Sequence, residues 1–174
     1  MTPSKLPLFS GELYRTPVGN LLLVCSETGL AAVEWAHSRG DLERYLRRLR
    51  RPVYPYPLRV APYAGELREY LNGKRREFTF PIDWDLLRPF QRAALKLIYA
   101  IPYGETRTYS DIALELGRPR ASRAVGRANA TNPMPLVIPC HRLIGSDGKL
   151  HGYGGGEGLP TKEWLLQMEG ALVV

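Results

Sequence analysis

The chain has 174 residues, of which 44% are hydrophobic, and it carries a formal net charge of +7. This composition is ordinary for a globular protein with a buried core, and the length allows one domain or two small ones. No apolar run approaches the ~18 residues of a membrane span, and the N-terminus lacks the apolar core of a secretory signal. We therefore expect a cytoplasmic protein that makes no use of a membrane.

Basic residues are concentrated in one part of the chain. Nine basic and only three acidic residues lie between Leu86 and Arg142, so this segment holds most of the positive excess. Such a concentration favours a nucleic acid or another polyanion as the partner. The two cysteines, Cys25 and Cys140, are too few for a disulfide scaffold, although they could pair in principle.

The first half of the chain predicts a small α/β domain, which we place at residues 1–85. Short apolar runs separated by turn residues predict a small antiparallel sheet over residues 13–35. Apolar positions at helical spacing predict one helix from Asp41 and a second over residues 63–72. The proline-rich segment 52–57 is expected to be extended, and residues 78–82 to form a strand.

The second half, residues 86–174, predicts mostly helices. After a helix that begins near Pro89, Thr108 or Ser110 can cap a second helix with Ile112, Ala113 and Leu116 on its inner face. A turn at residues 117–120 leads to a short helix over residues 121–130, whose inner face is expected to contain three residues: Ala124, Val125 and Ala128. Two short helices around a glycine-containing turn favour a helix-turn-helix. The second helix has mostly small side chains, which predicts binding without base-sequence preference.

An apolar run ends at a candidate nucleophile. Leu136, Val137 and Ile138 lead through a proline into Cys140 and His141. A neighbouring imidazole or positive charge, here His141 and Arg142, lowers the pKa of a thiol, and the thiolate is the nucleophile. A lone cysteine in an apolar run can equally be a small buried hydrophobic residue.

Six segments taken together resemble the methylated-DNA–protein-cysteine methyltransferase family, also called O6-alkylguanine-DNA alkyltransferases. The segments, in chain order, are Tyr109-Ser110, Arg123-Ala124-Val125-Gly126, Asn132-Pro133, Pro139-Cys140-His141-Arg142, Gly152-Tyr153 and Lys162-Glu163-Trp164-Leu165-Leu166 through Glu169-Gly170. The resemblance is strong over about residues 88–170 and looser before them. It implies an RNase H-like N-terminal α/β domain and a winged-helix-like C-terminal domain that contains the helix-turn-helix.

The resemblance implies a single-turnover repair reaction. The protein would flip O6-alkylguanine, and O4-alkylthymine as well, out of double-stranded DNA and transfer the alkyl group irreversibly to Cys140. His141 would act as a base through a water, and Glu169 would orient His141. Asn132 would order the turn that holds the cysteine, and Tyr109 would donate a hydrogen bond to guanine N3. The family comparison implies a monomer that needs no cofactor.

The resemblance also implies two groups of contacts with the substrate. Arg123 would enter the base stack and fill the space left by the flipped nucleotide, while Tyr109, Ser110, Ser122 and Arg127 would contact the DNA. The pocket for the flipped base would be formed by five residues: Tyr153, Gly154, Gly155, Pro135 and Leu143. The loop after Tyr153 is about two residues longer than the commoner family spacing, and it has glycine where relatives often have a small hydroxyl residue.

Two other functions remain as alternatives. An alkyltransferase-like protein could bind the lesion without chemistry, but such relatives lack the cysteine that is present here as Cys140. A cysteine hydrolase usually takes its cysteine and histidine from distant segments, whereas Cys140 and His141 are adjacent. Some relatives bind a structural zinc in the N-terminal half; Cys25 and His37 are the only soft ligands there, which predicts no metal site.

Overall fold

The computed structural model describes residues 6–171, and the chain divides into two units between Leu86 and Leu87. The N-terminal unit is built on four strands, β1 (Leu8–Thr16), β2 (Gly19–Cys25), β3 (Leu30–Trp35) and β4 (Val53–Pro55). The strand order is β3-β2-β1-β4. Strands β1 to β3 pair antiparallel, as predicted, but β4 pairs parallel with β1, so the sheet is mixed. A helix between β3 and β4 returns the chain to the far edge, which makes this parallel pairing possible.

Two helices cover opposite faces of this sheet. Helix α1 (Arg39–Leu49) contributes Leu42 to a buried cluster with Leu22 and Val24 of β2. Helix α2 (Pro57–Leu71) packs on the other face, where the Cys25 thiol lies 3.6 Å from the Arg59 carbonyl oxygen. Side chains alternate between the faces of a strand, so β2 supplies apolar residues to both helices.

Two predictions for the N-terminal unit were wrong. Helix α2 begins at Pro57 and continues through Pro62, earlier than the start predicted at residue 63, whereas the extended conformation predicted for residues 52–57 is present in β4. Pro57 occupies the first helical position, where a missing N–H costs nothing. Residues 78–82 do not form a strand. Only Ile82 makes a bridge to the sheet, while the ring of Phe80 packs 4.9 Å from that of Tyr63 on α2.

The C-terminal unit is mainly helical. Its four helices are α3 (Pro89–Tyr99), α4 (Tyr109–Glu115), α5 (Ser122–Ala130) and α6 (Leu159–Met168). Two short parallel strands, β5 (Arg107–Thr108) and β6 (Leu143–Ile144), tie the start of α4 to the chain that follows a 3-10 helix at Cys140–Arg142.

Helices α4 and α5 form the predicted helix–turn–helix pair. Thr108 and Asp111 form a reciprocal capping box at the start of α4, and Gly117 adopts a φ of +70° in the turn that follows it. The inner face of α5 differs from the prediction, because Ala124 is exposed and Asn129 is buried. Val125, Ala128 and Asn129 follow the i, i+3, i+4 spacing of one helical face.

Candidate active site and DNA-binding surface

Cys140 is held by a strained turn at the end of a buried segment. Leu136 adopts a φ of +73°, a region that non-glycine residues rarely enter, and Ile138 is fully buried. Asn132 stabilises the turn from both sides: its Nδ2 donates to the Ile138 carbonyl at 2.9 Å, and its Oδ1 accepts from the Met134 N–H at 2.9 Å. The Cys140 side chain follows and is 5% exposed. Both cysteines of the chain are thiols rather than a disulfide.

A buried carboxylate joins His141 to Arg142. Glu169, at the end of α6, accepts from His141 Nε2 at 2.9 Å through Oε1. Arg142 donates to both Glu169 oxygens, each at 2.9 Å, which is the bidentate geometry of a strong ion pair. Arg142 Nη1 also donates to the Ile101 carbonyl at 2.6 Å. From the sequence, Glu169 was expected beside His141, and Arg142 was expected only as a positive charge next to the thiol.

These contacts define the proton positions in the pair. Burial raises the pKa of Glu169, but the hydrogen bonds from His141 and Arg142 outweigh that effect and lower the pKa to about 2. An ionised carboxylate only accepts hydrogen bonds, so His141 Nε2 carries the proton and Nδ1 is the nitrogen that can receive one. Burial lowers the pKa of His141 against the opposing effect of Glu169, which favours the neutral ring. The geometry therefore provides an oriented neutral base.

Burial and the groups around Cys140 have opposite effects on the pKa of its thiol. Burial raises the pKa of Cys140, while hydrogen bonds from Asn132, the Cys140 backbone and Tyr153, together with the charge of Lys162, act to lower it. Lys162 is a fully buried lysine on α6, and its Nζ donates to the carbonyls of Leu143 at 2.6 Å and His151 at 3.1 Å. Burial is the largest of these effects, so the pKa of Cys140 stays above its ordinary value and the resting group is a thiol that needs a base before it can attack.

Tyr109 reaches the same site from the start of α4. Burial raises the pKa of its hydroxyl, negative charge on Cys140 raises it further, and a hydrogen bond from Asn129 opposes the rise. Asn129 also donates from Nδ2 to the Cys140 carbonyl at 3.3 Å. The structure thus brings together all five predicted catalytic residues: Cys140, His141, Glu169, Asn132 and Tyr109.

The outer side of α5 presents the predicted DNA-contacting residues. Arg123 and Arg127 are exposed, one helical turn apart. Ser110 Oγ of α4 lies 3.4 Å from Ser122 Oγ of α5, so the two hydroxyls mark the junction of the pair. The exposed arginines and hydroxyls form a basic surface suited to phosphate contacts.

The five predicted pocket residues differ in burial and in their contacts around Cys140. Tyr153 is close enough to Cys140 to act on the pKa of the thiol, which it lowers against the effect of burial, and the Leu143 carbonyl accepts a hydrogen bond from Lys162. Pro135 is buried in the turn that leads to Cys140. Gly155 is buried and Gly154 is exposed in the loop after Tyr153. The end of this loop is held to α6 by a hydrogen bond, in which Thr161 Oγ1 accepts from the Glu157 N–H at 2.9 Å.

The roles of three residues of the site were missed by sequence reasoning. Arg142 was expected to act only as a positive charge beside the thiol, and its bidentate contact with Glu169 is visible only in the structure. Lys162 is charged yet completely buried, which the sequence does not signal. Asn129 could have been found, because it lies four residues after Val125 and therefore on the apolar face of α5.

Neither a metal cluster nor a membrane helix is present in the described part of the chain. Among residues 6–171, no three His, Cys, Asp or Glu side chains are grouped so that they could hold a metal ion. No helix within the same residues has the length and apolar character to cross a bilayer.

Comparisons with known proteins match both units. Residues 11–84 match the family model described as 6-O-methylguanine DNA methyltransferase, ribonuclease-like domain, and residues 89–171 match the DNA binding domain of the same family. A protein from Methanosarcina barkeri named methylated-DNA--protein-cysteine methyltransferase is 40% identical over 158 residues, which cover 91% of this chain and 95% of that protein. A protein of the same name from Salmonella typhimurium is 39% identical over 167 residues, covering 94% of this chain and 96% of the relative.

A solved structure extends this similarity to the fold. The crystal structure of Mycobacterium tuberculosis OGT in complex with DNA has a TM-score of 0.77 and 34% sequence identity, and the match covers 95% of this chain and 94% of that one. The N-terminal unit is the ribonuclease-like domain and the C-terminal unit is the DNA-binding domain, as the sequence analysis predicted. The chain belongs to the methylated-DNA–protein-cysteine methyltransferase family and is a DNA repair methyltransferase.

Proposed function

We propose that the protein removes the alkyl group from O6-alkylguanine in double-stranded DNA and keeps it on Cys140. The observation that carries this proposal is the buried thiol of Cys140, which lies next to the His141–Glu169 pair. The backbone carbonyl of Cys140 also accepts a hydrogen bond from Asn129, on a helix of the DNA-binding domain. O4-alkylthymine has a comparable alkyl–oxygen bond and is a second substrate of the same reaction.

His141 and Glu169 remove the proton of the thiol. His141 Nδ1 accepts it through a water, and Glu169 stabilises the imidazolium that forms. The Cys140 sulfur then attacks the alkyl carbon, a sulfur–carbon bond forms and the carbon–O6 bond breaks. The electron pair of the broken bond remains on guanine, which finally takes up the proton lost by Cys140. The thioether product is not hydrolysed, so each molecule reacts once.

Tyr109 and Lys162 stabilise the negative charge of this reaction. The Tyr109 hydroxyl donates to guanine N3 as charge develops on the departing base. Lys162 provides a buried positive charge close to the thiolate before attack. Lys162 is fully buried and Tyr109 is half-buried, so electrostatic interactions of both groups are stronger than in solvent.

The target base leaves the duplex before it reacts. A stacked base cannot present O6 to a buried thiol, and extruding it costs a few kcal/mol. Arg123 offsets part of this cost by filling the space in the stack, while Arg127, Ser110 and Ser122 contact phosphates. The flipped base is received by the pocket formed by Tyr153, Gly154, Gly155, Pro135 and Leu143. One chain binds one lesion as a monomer, in the reducing cytoplasm that keeps Cys140 a thiol.

A lesion binder without chemistry is the second candidate, and the site argues against it. Such a protein needs no nucleophile, whereas here Cys140, His141 and Glu169 are assembled in one buried cluster. A hydrolase is disfavoured because its acyl-enzyme must be released by water, which requires a more open site than the 5% exposure of Cys140 provides.

The decisive experiment measures intact protein mass after mixing with a duplex that carries one O6-methylguanine. We expect a gain of one methyl group per molecule, mapped to Cys140 and absent from Cys140→Ala. Cys25→Ala is the matched control, because Cys25 is the other buried thiol and should leave transfer intact. Tight binding without a mass gain would instead establish a lesion binder.

A further inference from the structure

Asn129 is a polar residue in an apolar position. It lies on the inner face of α5 and is 7% exposed, beside Val125 and Ala128. Burying an amide destabilises a fold unless its hydrogen bonds are made. The contacts of this side chain therefore indicate whether it belongs to the core or to the site.

The amide of Asn129 points at the nucleophile's backbone. Its Nδ2 donates to the Cys140 carbonyl at 3.3 Å. A carbonyl only accepts, so the nitrogen must face it and Oδ1 must lie on the other side of the amide. Oδ1 is buried and makes no hydrogen bond to any residue in the described range 6–171. An apolar side chain of the same size would avoid that cost, so the amide is poorly explained by core stability.

The same helix face also holds Tyr109. Burial raises the pKa of the Tyr109 hydroxyl, and the nearby Asn129 side chain acts to lower it. Gly126, one turn earlier on α5, lies against the Tyr109 ring, because a Cβ there would be 3.8 Å from Cδ1 and 3.9 Å from Cε1. Helix α5 therefore contacts the Tyr109 ring at Gly126 and the Cys140 backbone at Asn129.

We infer that Asn129 is a positioning residue that fixes the Cys140 backbone and the Tyr109 hydroxyl relative to α5. The inference rests on the proposed function, in which the outer side of α5 carries Arg123 into the duplex. Helix α5 then both binds DNA and positions the Cys140 thiol and the Tyr109 hydroxyl around the flipped base. A displacement of reacting groups by about 1 Å can slow a reaction by about 100-fold, so this link matters for rate.

The test separates DNA binding from methyl transfer. Asn129→Leu keeps the approximate volume and removes the amide with its hydrogen bond to the Cys140 carbonyl, and Asn129→Asp keeps the shape and replaces the donor. For each variant we would measure the Kd for an undamaged duplex and the single-turnover rate constant at saturating O6-methylguanine duplex. We expect the Kd to change by less than about threefold and the rate constant to fall by about 10- to 100-fold.

Val125→Ala is the matched control for simple loosening of α5. Val125 is fully buried on the same helix face and has no hydrogen-bonding group. It should lower Tm with less than about a threefold effect on the rate constant. Equal loss of rate in Val125→Ala and Asn129→Leu at equal loss of Tm would overturn the inference, as would an unchanged rate in both Asn129 variants.

A double-mutant cycle provides a readout that a structural effect would not move. Tyr109→Phe removes the hydroxyl, and if Asn129 acts through it, the two substitutions together slow transfer by less than the product of their separate effects. Multiplying effects would contradict the link to Tyr109. Failure of the wild-type protein to gain a methyl group would refute the proposed function, whereas normal transfer by the Asn129 variants would refute only this inference.

Discussion

His141 Nε2 lies 2.9 Å from Glu169 Oε1, and neither side chain is exposed to solvent. The same oxygen accepts from Arg142 at 2.9 Å, so the carboxylate that orients the base is itself held ionised by a cation. Three ionisable side chains on two short segments thus form one buried unit. This unit determines which nitrogen of His141 can accept the proton of Cys140.

Glu169→Gln should weaken both stability and transfer. The substitution leaves Arg142 buried beside a neutral amide, and removing one partner of a buried ion pair costs about 3–5 kcal/mol. It also removes the charge that stabilises the His141 imidazolium, so we expect the single-turnover rate constant to fall by at least about tenfold. Chemical denaturation and quenched-flow transfer measure the two effects. Glu163→Gln, an exposed position on α6, should change neither.

The free energy of unfolding should decrease in acid because of Glu169 and His141. The pKa of Glu169 is lowered in the folded state to about 2, so its stabilising contribution is complete above the unfolded pKa and is lost as the pH falls toward 2. The pKa of His141 is also lowered, so the unfolded state binds a proton first and stability falls below about pH 6.5. The free energy of unfolding should therefore decline between about pH 6.5 and 2. A decline that is equally steep in Glu169→Gln would rule out this assignment.

Lys162→Met should make Cys140 a weaker nucleophile. Burial already raises the pKa of Cys140, and the substitution removes a positive charge that opposes the rise. The thiolate fraction at pH 7 should fall by about tenfold for each further unit of pKa. Iodoacetamide labelling across pH, read at Cys140 by mass spectrometry, measures this change. Lys149→Met alters an exposed lysine as the control, and identical labelling profiles for the two variants would count against a buried counter-charge.

Arg123→Ala should slow repair of duplex DNA and leave the chemistry intact. Without the side chain that fills the stack, the protein supplies less of the few kcal/mol needed to extrude the base, so we expect transfer from a duplex to slow by about 10- to 100-fold. Transfer from free O6-benzylguanine needs no extrusion and should stay within about twofold of wild type. Equal loss on both substrates would mean that Arg123 acts on the thiol site and not on the DNA. Arg47→Ala on α1 is the exposed arginine control.

Sequence reasoning predicted the family correctly, because a motif such as Pro139-Cys140-His141-Arg142 is local. It did not find what depends on tertiary packing. Helix α2 continues through Pro62, since packing against the sheet outweighs local propensity. The strand predicted over residues 78–82 is replaced by aromatic packing against α2, with the Phe78 and Tyr70 rings 5.4 Å apart.

The charges of the site were the hardest part to predict from sequence. Glu169 and Arg142 are 27 positions apart, and nothing local shows that they meet in a bidentate pair. Lys162 lies in the first turn of α6, where a lysine would ordinarily face solvent, yet its ammonium is buried against two carbonyls. Asn129 was hidden because Ala124 was assigned to the inner face of α5 in its place. Small side chains define a helical face poorly.

The measurement that tests the central claim most directly is the number of guanines restored per protein molecule in excess O6-methylguanine duplex. The account predicts that repair stops at one guanine per molecule, with every Cys140 converted to S-methylcysteine. Continued repair beyond one per molecule would mean that the thioether is not the final product. No repair by a protein that binds the lesion would mean that the buried Cys140–His141–Glu169 group does not perform the transfer.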